Sequence, residues 1–327
     1  MSYSFDSIRA RVRNKAQVTG IKAQVLYQRY FIERFISRIA ASEHKDSIVI
    51  KGGMLISAMT GIDMRSTKDL DATIIGCNLT AHDIEKIVKD IVTIDLSDNI
   101  QYQFVRTEEI LTDSSYPCYR VHLRALLGTM DAKVEIDMTT GDAITPREIT
   151  FGFPALLDGE IIPVLAYNLE TILAEKMTAI LDLGVFNTRA RDFYDVYLLT
   201  TTFSDKLDNA VLKDALHNTL KRRNKYALLD NIQESVHQTL NNKDIQGHWA
   251  KYREEYSYAA DIDFDKIASA LLRLVEWLGH EIKSLEKPTY GKSLHEKLEH
   301  YKKIADADKT AKAKTVTKIK SQSEPDR

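Results

Sequence analysis

Strand-like segments are confined to the first half of this chain, and only helical patterns follow them. Short runs that are β-branched or alternate in polarity lie between Ser47 and Val164, with breaks such as Gly52-Gly53 among them. Beyond about Tyr167, apolar residues recur at helical spacing. This order predicts an α+β fold in which a mixed-sheet domain packs against a C-terminal helical domain. The predicted parts are a core with N-terminal helices at residues 1–165, the helical domain at residues 166–300, and a Lys-rich tail, expected to be flexible, at residues 301–327.

Composition excludes several classes of protein. The chain has 45 Lys and Arg residues against 47 Asp and Glu residues. Residues 301–320 carry a net charge of +5 and the last seven residues −1, so residues 1–300 carry −6, which argues against a generic polyanion-binding protein. Because no long apolar run or signal-like segment occurs, we expect a cytoplasmic protein without a membrane partner. The two cysteines, Cys77 and Cys118, and the spacing of the nine His residues predict neither disulfides nor a zinc site. Both cysteines are expected to be buried.

Two carboxylates, Asp69 and Asp71, share one face of a strand-like run that continues to Ile75. Two like charges side by side repel each other unless a cation neutralises them, and oxygen ligands at this spacing suit Mg²⁺. An exposed strand end would show the same pattern. The Asp-x-Asp spacing alone therefore leaves both interpretations open.

A second strand-like run, residues 132–138, offers a third carboxylate. Asp137 lies on its polar face, opposite Val134 and Ile136. A half-buried strand with a solvated side would have the same alternation. Upstream, Gly52-Gly53 stands between a strand and a helix, where bare backbone N–H groups can receive a triphosphate, although a tight turn would also account for the pair.

Six blocks of residues follow one another in the order that is typical of one family. They are Ile50-Lys51-Gly52-Gly53, Arg65–Asp71, Ile136-Asp137, Gly141–Pro146, Leu173–Lys176 and Arg189–Tyr197. In this order they resemble the AbiEii/AbiGii nucleotidyltransferase toxin family, which is related to the MenT toxins and has a polymerase-β-like core. The resemblance spans about Lys51 to Leu199, and it makes the N-terminal domain nucleotidyltransferase-like.

The resemblance implies an Mg²⁺-dependent enzyme that transfers a nucleoside monophosphate from an NTP and releases pyrophosphate. Asp69, Asp71 and Asp137 would bind two Mg²⁺ ions. The nucleotide would contact Gly52, Gly53, Thr67, Lys176 and Arg191, and Lys176, Asp192 and Asp195 would join the carboxylates as catalytic residues. The resemblance also implies a toxin of a bacterial toxin–antitoxin or phage-defence pair, with an antitoxin encoded nearby and an RNA acceptor, for some relatives the tRNA 3′ end.

Lys176 interrupts an apolar helical stripe that runs from Leu169 to Ile180, so its charge requires a partner. Asp192 and Asp195, three residues apart on the next helix, could supply a structural ion pair between helices. The alternative is that Lys176 reaches the triphosphate while one of the aspartates positions it. The sequence leaves both roles open.

A basic patch follows the helical stretch that ends near Leu220: Lys221, Arg222, Arg223 and Lys225, beside Tyr226. It could contact RNA phosphates and stack a base, or its cations could complement a helix C-terminus. Two further functions also stay open. The same chemistry could act on a small molecule or a protein, or the chain could be a non-catalytic module that binds RNA or a partner.

Overall fold

A computed structural model describes residues 4–76, 80–110 and 117–284 of the chain. The described residues up to Gly279 belong to one compact unit, and a second unit begins at His280, of which only the end of one helix is described. Cys118 is buried, as predicted, and it is a free cysteine. Cys77 and the Lys-rich tail lie outside the described residues.

Two helices precede the sheet: α1 (Phe5–Thr19) and α2 (Ala23–Ala41). The sequence pattern predicts a single helix over residues 20–41, and α2 accounts for it. The polar α1 was missed, because it buries only Ile8 and Val12 and shows a short apolar stripe. Ser4 caps α1 by accepting a hydrogen bond from the Ser7 backbone N–H at 3.2 Å.

Among the described residues, seven strands form one mixed sheet, in the order β3-β4-β5-β2-β1-β7-β6. The strands are β1 (Ile48–Lys51), β2 (Leu70–Ile74), β3 (Gln101–Ile110), β4 (Cys118–Leu127), β5 (Met130–Thr140), β6 (Ile149–Pro154) and β7 (Ile161–Ala166). The pairs β1–β7 and β2–β5 are parallel, and the other neighbours are antiparallel. The predicted mixed sheet is confirmed.

Two helices lie between strands of the sheet: α3 (Gly52–Thr60) and α4 (Ala81–Val92). Helix α3 follows β1 without an intervening loop, so its first turn is placed at the end of the strand. Helix α4 packs against β3 and against α2. Its N-terminus carries a capping box between Thr80 and Asp83, which fixes the start of the helix.

The second half is helical, as predicted. Its helices are α5 (Leu169–Leu183), α6 (Ala190–Thr202), α7 (Asn209–Arg222), α8 (Ile232–Asn241), α9 (Lys243–Glu255) and α10 (Phe264–Ser284). Helix α7 begins three residues later than the sequence pattern suggests, because Asp208 caps it through hydrogen bonds from Ala210 and Val211. Helix α9 was not predicted. It buries Ile245, Trp249 and Tyr252 among many charged residues, so its apolar periodicity is weak.

The sheet and the helical half are joined by hydrogen bonds. The Arg222 guanidinium donates to the Gly141 carbonyl at 2.6 Å, and the Asn168 side chain donates to the Thr145 carbonyl at 2.7 Å. The change from strands to helices falls between Ala166 and Leu169; the domain boundary at residue 165 stays a prediction. Among the described helices, none combines the length and the apolar composition that crossing a membrane requires.

Candidate active site

A cleft of about 680 Å³ lies between the sheet and helices α5, α6 and α9. Both halves of the chain contribute to its walls. Apart from Asp195, which contacts two of the lining residues, the predicted site residues all line it: Gly52, Gly53, Thr67, Asp69, Asp71, Asp137, Lys176, Arg191 and Asp192. Residues that are far apart in the sequence therefore meet around one volume.

The three predicted carboxylates come from two neighbouring parallel strands. Asp71 of β2 is in register with Asp137 of β5, and Asp69 stands one residue before β2 begins. Burial raises the pKa of Asp71, and the nearby Asp137 and Asp69 carboxylates add to this effect, while Lys51 and Lys176 oppose it. The charged form of Asp71 is therefore costly unless a further cation approaches it.

Asp137 differs from the other two carboxylates because the protein already supplies its cation. Arg120 of β4 donates two hydrogen bonds to it, each 2.8 Å long, one to each carboxylate oxygen. Within the described part of the chain, no hydrogen-bond donor reaches the side-chain oxygens of Asp69 or Asp71. The oxygens of these two side chains are thus the ones available to a ligand.

The donor set fits Mg²⁺ in part. Mg²⁺ is usually held by one or two carboxylates together with substrate phosphates, which Asp69 and Asp71 can satisfy. Asp137 could join them only if Arg120 released it. Asp69, Asp71 and Asp137, all of them described residues, do not form a set whose ligand atoms all lie within 4.8 Å of one another.

A set with that spacing lies outside the cleft. Within residues 4–76, 80–110 and 117–284, it consists of Glu43, His44 and Asp90. Its members are partly or fully exposed, and His44 Nε2 lies 3.4 Å from an Asp90 oxygen. This surface cluster is separate from the predicted metal ligands.

The Gly-Gly pair forms the start of α3 and faces the carboxylates. Gly52 has a φ of +65°, and a Cβ added to it would overlap the Asp71 carboxylate. A Cβ on Gly53 would lie 2.9 Å from Arg65 Nη2 and 3.2 Å from Thr67 Oγ1. Bare backbone at both positions lets the N-terminus of α3 approach the cleft closely, in the arrangement that suits a phosphate group.

Lys176 of α5 forms ion pairs with two aspartates of α6. Its Nζ lies 2.8 Å from Asp192 and 2.9 Å from Asp195, and Asp195 also accepts a 2.7 Å hydrogen bond from Arg65 Nε. Burial alone would lower the pKa of Lys176, but Asp192 and Asp195 raise it well above its ordinary value. Lys176 is therefore a fixed cation on the wall of the cleft, an arrangement that agrees with both roles suggested by the sequence.

Several lining residues were missed by the sequence reasoning. Lys51 faces Asp71 across the β1–β2 pair, donates to Thr139 Oγ1 at 2.7 Å, and forms an ion pair with the buried Asp142. Arg65 stands in one of the family blocks, which could have pointed to it. The α9 residues that line the cleft belong to no block of the resemblance.

The basic patch at the end of α7 is largely paired within the protein. Arg222 donates to the Gly141 carbonyl, Arg223 lies 3.1 Å from Glu175, and Lys225 lies 2.7 Å from Asp182. Lys221 is exposed. Three of these cations therefore have partners on other elements of the protein, and a docking site for RNA phosphates would have to compete with those partners. The helix-end interpretation stays a prediction.

The chain is similar to one described family. The family model "Nucleotidyl transferase AbiEii toxin, Type IV TA system" matches residues 34–270, which is well over half of the sequence. That range includes every predicted site residue, and it also includes α9. No curated protein matches the chain.

Two crystal structures from Helicobacter pylori are distantly similar. JHP933 is 15% identical, with 80% of this chain and 95% of that chain covered, at a TM-score of 0.47. A candidate nucleotidyltransferase is 16% identical, with 82% of this chain and 100% of that chain covered, at a TM-score of 0.46.

Proposed function

The chain belongs to the AbiEii nucleotidyltransferase toxin family, and from this premise we propose that it transfers a nucleoside monophosphate from an NTP to an RNA acceptor in an Mg²⁺-dependent reaction. Membership of the family implies an NTP substrate and a partner antitoxin. The observation that carries the proposal is the β2–β5 register, which sets Asp71 beside Asp137 and next to the Gly-Gly start of α3. The proposal includes the RNA acceptor, for which the tRNA 3′ end is one candidate, and a role in phage defence.

In the proposed reaction, an acceptor hydroxyl loses its proton to solvent and its oxygen attacks the α-phosphorus in line. The bond from the α-phosphorus to the oxygen that bridges the α- and β-phosphates breaks, and pyrophosphate leaves with that oxygen. Asp69 and Asp71 would hold Mg²⁺, and Asp137 would provide the third carboxylate once Arg120 has released it. Mg²⁺, when bound, neutralises phosphate charge and makes the attacking hydroxyl more acidic.

The remaining residues would act by positioning and by electrostatics. The backbone N–H groups of Gly52 and Gly53 and the Lys176 ammonium would stabilise negative charge on the β- and γ-phosphates. Asp192 and Asp195 would keep Lys176 in place. Thr67 and Arg191, which line the same cleft, would add further contacts to the nucleotide.

The test is a labelling reaction with purified protein, each α-labelled NTP, Mg²⁺ and total bacterial RNA. We expect the label to enter RNA, and we expect EDTA to prevent it. A double variant, Asp69→Asn with Asp71→Asn, should give no labelled RNA. Asp131→Asn, which changes an exposed carboxylate at the other end of β5, is the matched control and should behave as wild type.

The product that carries the label decides between the acceptor classes. Label in protein or in a small molecule would reject RNA as the acceptor and keep the transferase chemistry. No label in any fraction, together with full cellular toxicity of the double variant, would favour the non-catalytic binding module. If replacement of Lys221, Arg222, Arg223 and Lys225 leaves transfer to RNA unchanged, then RNA does not dock on the basic patch.

Gly52→Ala is expected to lower the transfer rate by about 100-fold or more. The new Cβ would overlap the Asp71 carboxylate and would force a left-handed φ on an alanine, so the carboxylate or the start of α3 must shift. A displacement of about 1 Å among reacting groups can cost about 100-fold in rate. Initial rates with labelled NTP measure the effect.

The control for this substitution is Gly247→Ala in α9, where an added Cβ meets no atom within 4 Å. It should leave the rate unchanged and should stabilise the helix slightly. Wild-type activity in Gly52→Ala would show that the close approach between α3 and Asp71 is unimportant for the reaction.

Arg120→Ala is expected to lower the Mg²⁺ concentration that gives half-maximal transfer by about 2- to 5-fold, the range that a partly exposed ion pair supports. Arg120 competes with an added cation for Asp137, and its removal also makes the cleft more negative. A titration of activity against Mg²⁺ measures the change. Arg124→Ala, on the same strand and paired with Asp131, should not alter it, and a higher Mg²⁺ requirement in Arg120→Ala would contradict the competition.

A further inference from the structure

One wall of the cleft is a single face of α9 and the residue that follows the helix. His248, Lys251, Tyr252, Glu255 and Tyr256 recur at spacings of three and four residues, and all of them line the cleft. The wall combines aromatic rings with donors and an acceptor. It lies outside the blocks that carry the family resemblance and has no part in the phosphate chemistry described above.

Tyr256 belongs to a stack of aromatic rings, and together with Tyr252 it lines the cleft. Its ring centroid lies 4.7 Å from that of Tyr252 and 5.3 Å from that of Tyr258, with interplanar angles of 38° and 31°. Tyr252 in turn stacks on Trp249 at 5.6 Å. Tyr252 is 7% exposed and Trp249 is 2% exposed, whereas Tyr256 is only half-buried. Rigid buried rings therefore support a ring that is open to the cleft.

The stack is continuous with the region proposed to hold phosphates. Arg65 lies close to Gly53, and it also interacts electrostatically with Tyr252 and Tyr258. Burial raises the pKa of Tyr256, its hydrogen bond with Glu255 adds to this effect, and Arg191, at the start of α6, opposes it. One connected wall thus runs from the Gly-Gly pair to Tyr256.

The chemistry of this wall matches the part of a nucleotide that the carboxylates and the glycines leave unbound. A cleft of about 680 Å³ is within the range of small-molecule sites, so a triphosphate and its base can occupy it together. Aromatic rings bind bases by their π-faces, and nearby polar side chains can contact the base edge.

We propose that the α9 wall is the nucleobase subsite, in which the base of the incoming NTP stacks on Tyr256 while His248, Lys251 and Glu255 face its edge. This inference rests on the proposed function, because it assigns the base of the same NTP. A terminal base of the RNA acceptor has the same stacking chemistry. The experiment separates these two sources.

Binding is measured by calorimetry for wild type, Tyr256→Ala, Tyr256→Leu and Tyr256→Phe, with Mg²⁺ and without RNA. The probes are an NTP and inorganic triphosphate, which lacks ribose and base. Tyr256→Ala and Tyr256→Leu should bind the NTP about 5- to 150-fold more weakly and inorganic triphosphate as wild type does, since stacking contributes about this factor. Tyr256→Phe keeps the ring and should bind both probes normally.

Transfer kinetics provide the second readout. In Tyr256→Leu, the KM for the NTP should rise while the KM for RNA stays unchanged. Tyr197→Ala, which removes a half-buried tyrosine outside the cleft, is the matched control and should change neither constant.

Three results with the variants, and two with the wild-type protein, would overturn the inference. The first is normal NTP binding by the Ala and Leu variants. The second is an equal loss of affinity for the NTP and for inorganic triphosphate. The third is a rise in the KM for RNA alone, which would assign the aromatic stack to a base of the acceptor. If the wild-type protein binds inorganic triphosphate as tightly as the NTP, the base subsite is wrong, but the proposed function still stands. Wild-type protein that binds neither probe would reject the proposed function together with it.

Discussion

Asp71→Asn is expected to lower nucleotidyl transfer by at least about 1,000-fold, while the protein still folds. Asp71 is the carboxylate at the centre of the site, in register with Asp137, opposite Lys51 and against Gly52. Asparagine keeps its shape but removes the charge that would hold Mg²⁺, and a bound metal supplies several kcal/mol of transition-state stabilisation. Initial rates at saturating Mg²⁺ and NTP measure the loss.

The fold should tolerate this substitution because the charged, buried side chain of Asp71 destabilises the folded state. Burial raises its pKa above the ordinary value, so its contribution to stability is fully present below the pKa of the unfolded chain and is lost as the pH rises through the raised pKa. At neutral pH and without Mg²⁺, the asparagine variant should therefore melt at the same or a higher temperature. Residual transfer above a tenth of the wild-type rate would contradict the role of Asp71, provided that Asp131→Asn is fully active.

Asp195→Asn is expected to lower the free energy of unfolding by about 3–5 kcal/mol, the cost of breaking a buried ion pair by removing one partner. Asp195 has no exposed side-chain surface, and it contacts both the Arg65 guanidinium and the Lys176 ammonium. Asparagine would leave Arg65 as a buried cation without its counter-ion. Urea unfolding followed by circular dichroism measures the change.

The loss should depend on pH in a defined direction. Burial alone would raise the pKa of Asp195, but Lys176 and Arg65 lower it below its ordinary value. Its stabilising contribution is therefore present above the pKa of the unfolded chain and is lost as the pH falls through the lowered pKa. The difference in the free energy of unfolding between wild type and Asp195→Asn should therefore become smaller at strongly acidic pH. Asp131→Asn removes an exposed pair and should cost less than about 1 kcal/mol at any pH, and an equally small effect in Asp195→Asn would contradict the network.

Much of the acidic part of the site could be predicted because it depends on local rules. The two-residue period of a strand places Asp69 and Asp71 on one face, and the same period separates Asp137 from the buried Val134 and Ile136. The structure confirms this alternation on β5. A Lys on an apolar helical face must have a partner, and this rule predicted the contacts of Lys176 with the α6 aspartates.

The remaining features depend on which strands and helices meet, and this is not a local property. Arg120 reaches Asp137 only because β4 and β5 pair in a particular register. Arg65 lies in a loop without periodicity, and its partner Asp195 is 130 residues away. The α9 wall was missed because the face that lines the cleft is polar and aromatic, so it lacks the aliphatic stripe by which a helix is usually found.

The Arg65–Asp195 contact bears on when this toxin can become active during its synthesis. A nascent chain that has emerged from the ribosome only as far as β7 already carries the aspartates and the glycine pair, but it lacks both Lys176 and the counter-ion for Arg65. We expect the loop that follows α3 to lack a fixed conformation until α6 has been synthesised. A chain that ends before α6 would then lack the wall of the cleft on which the proposed reaction depends.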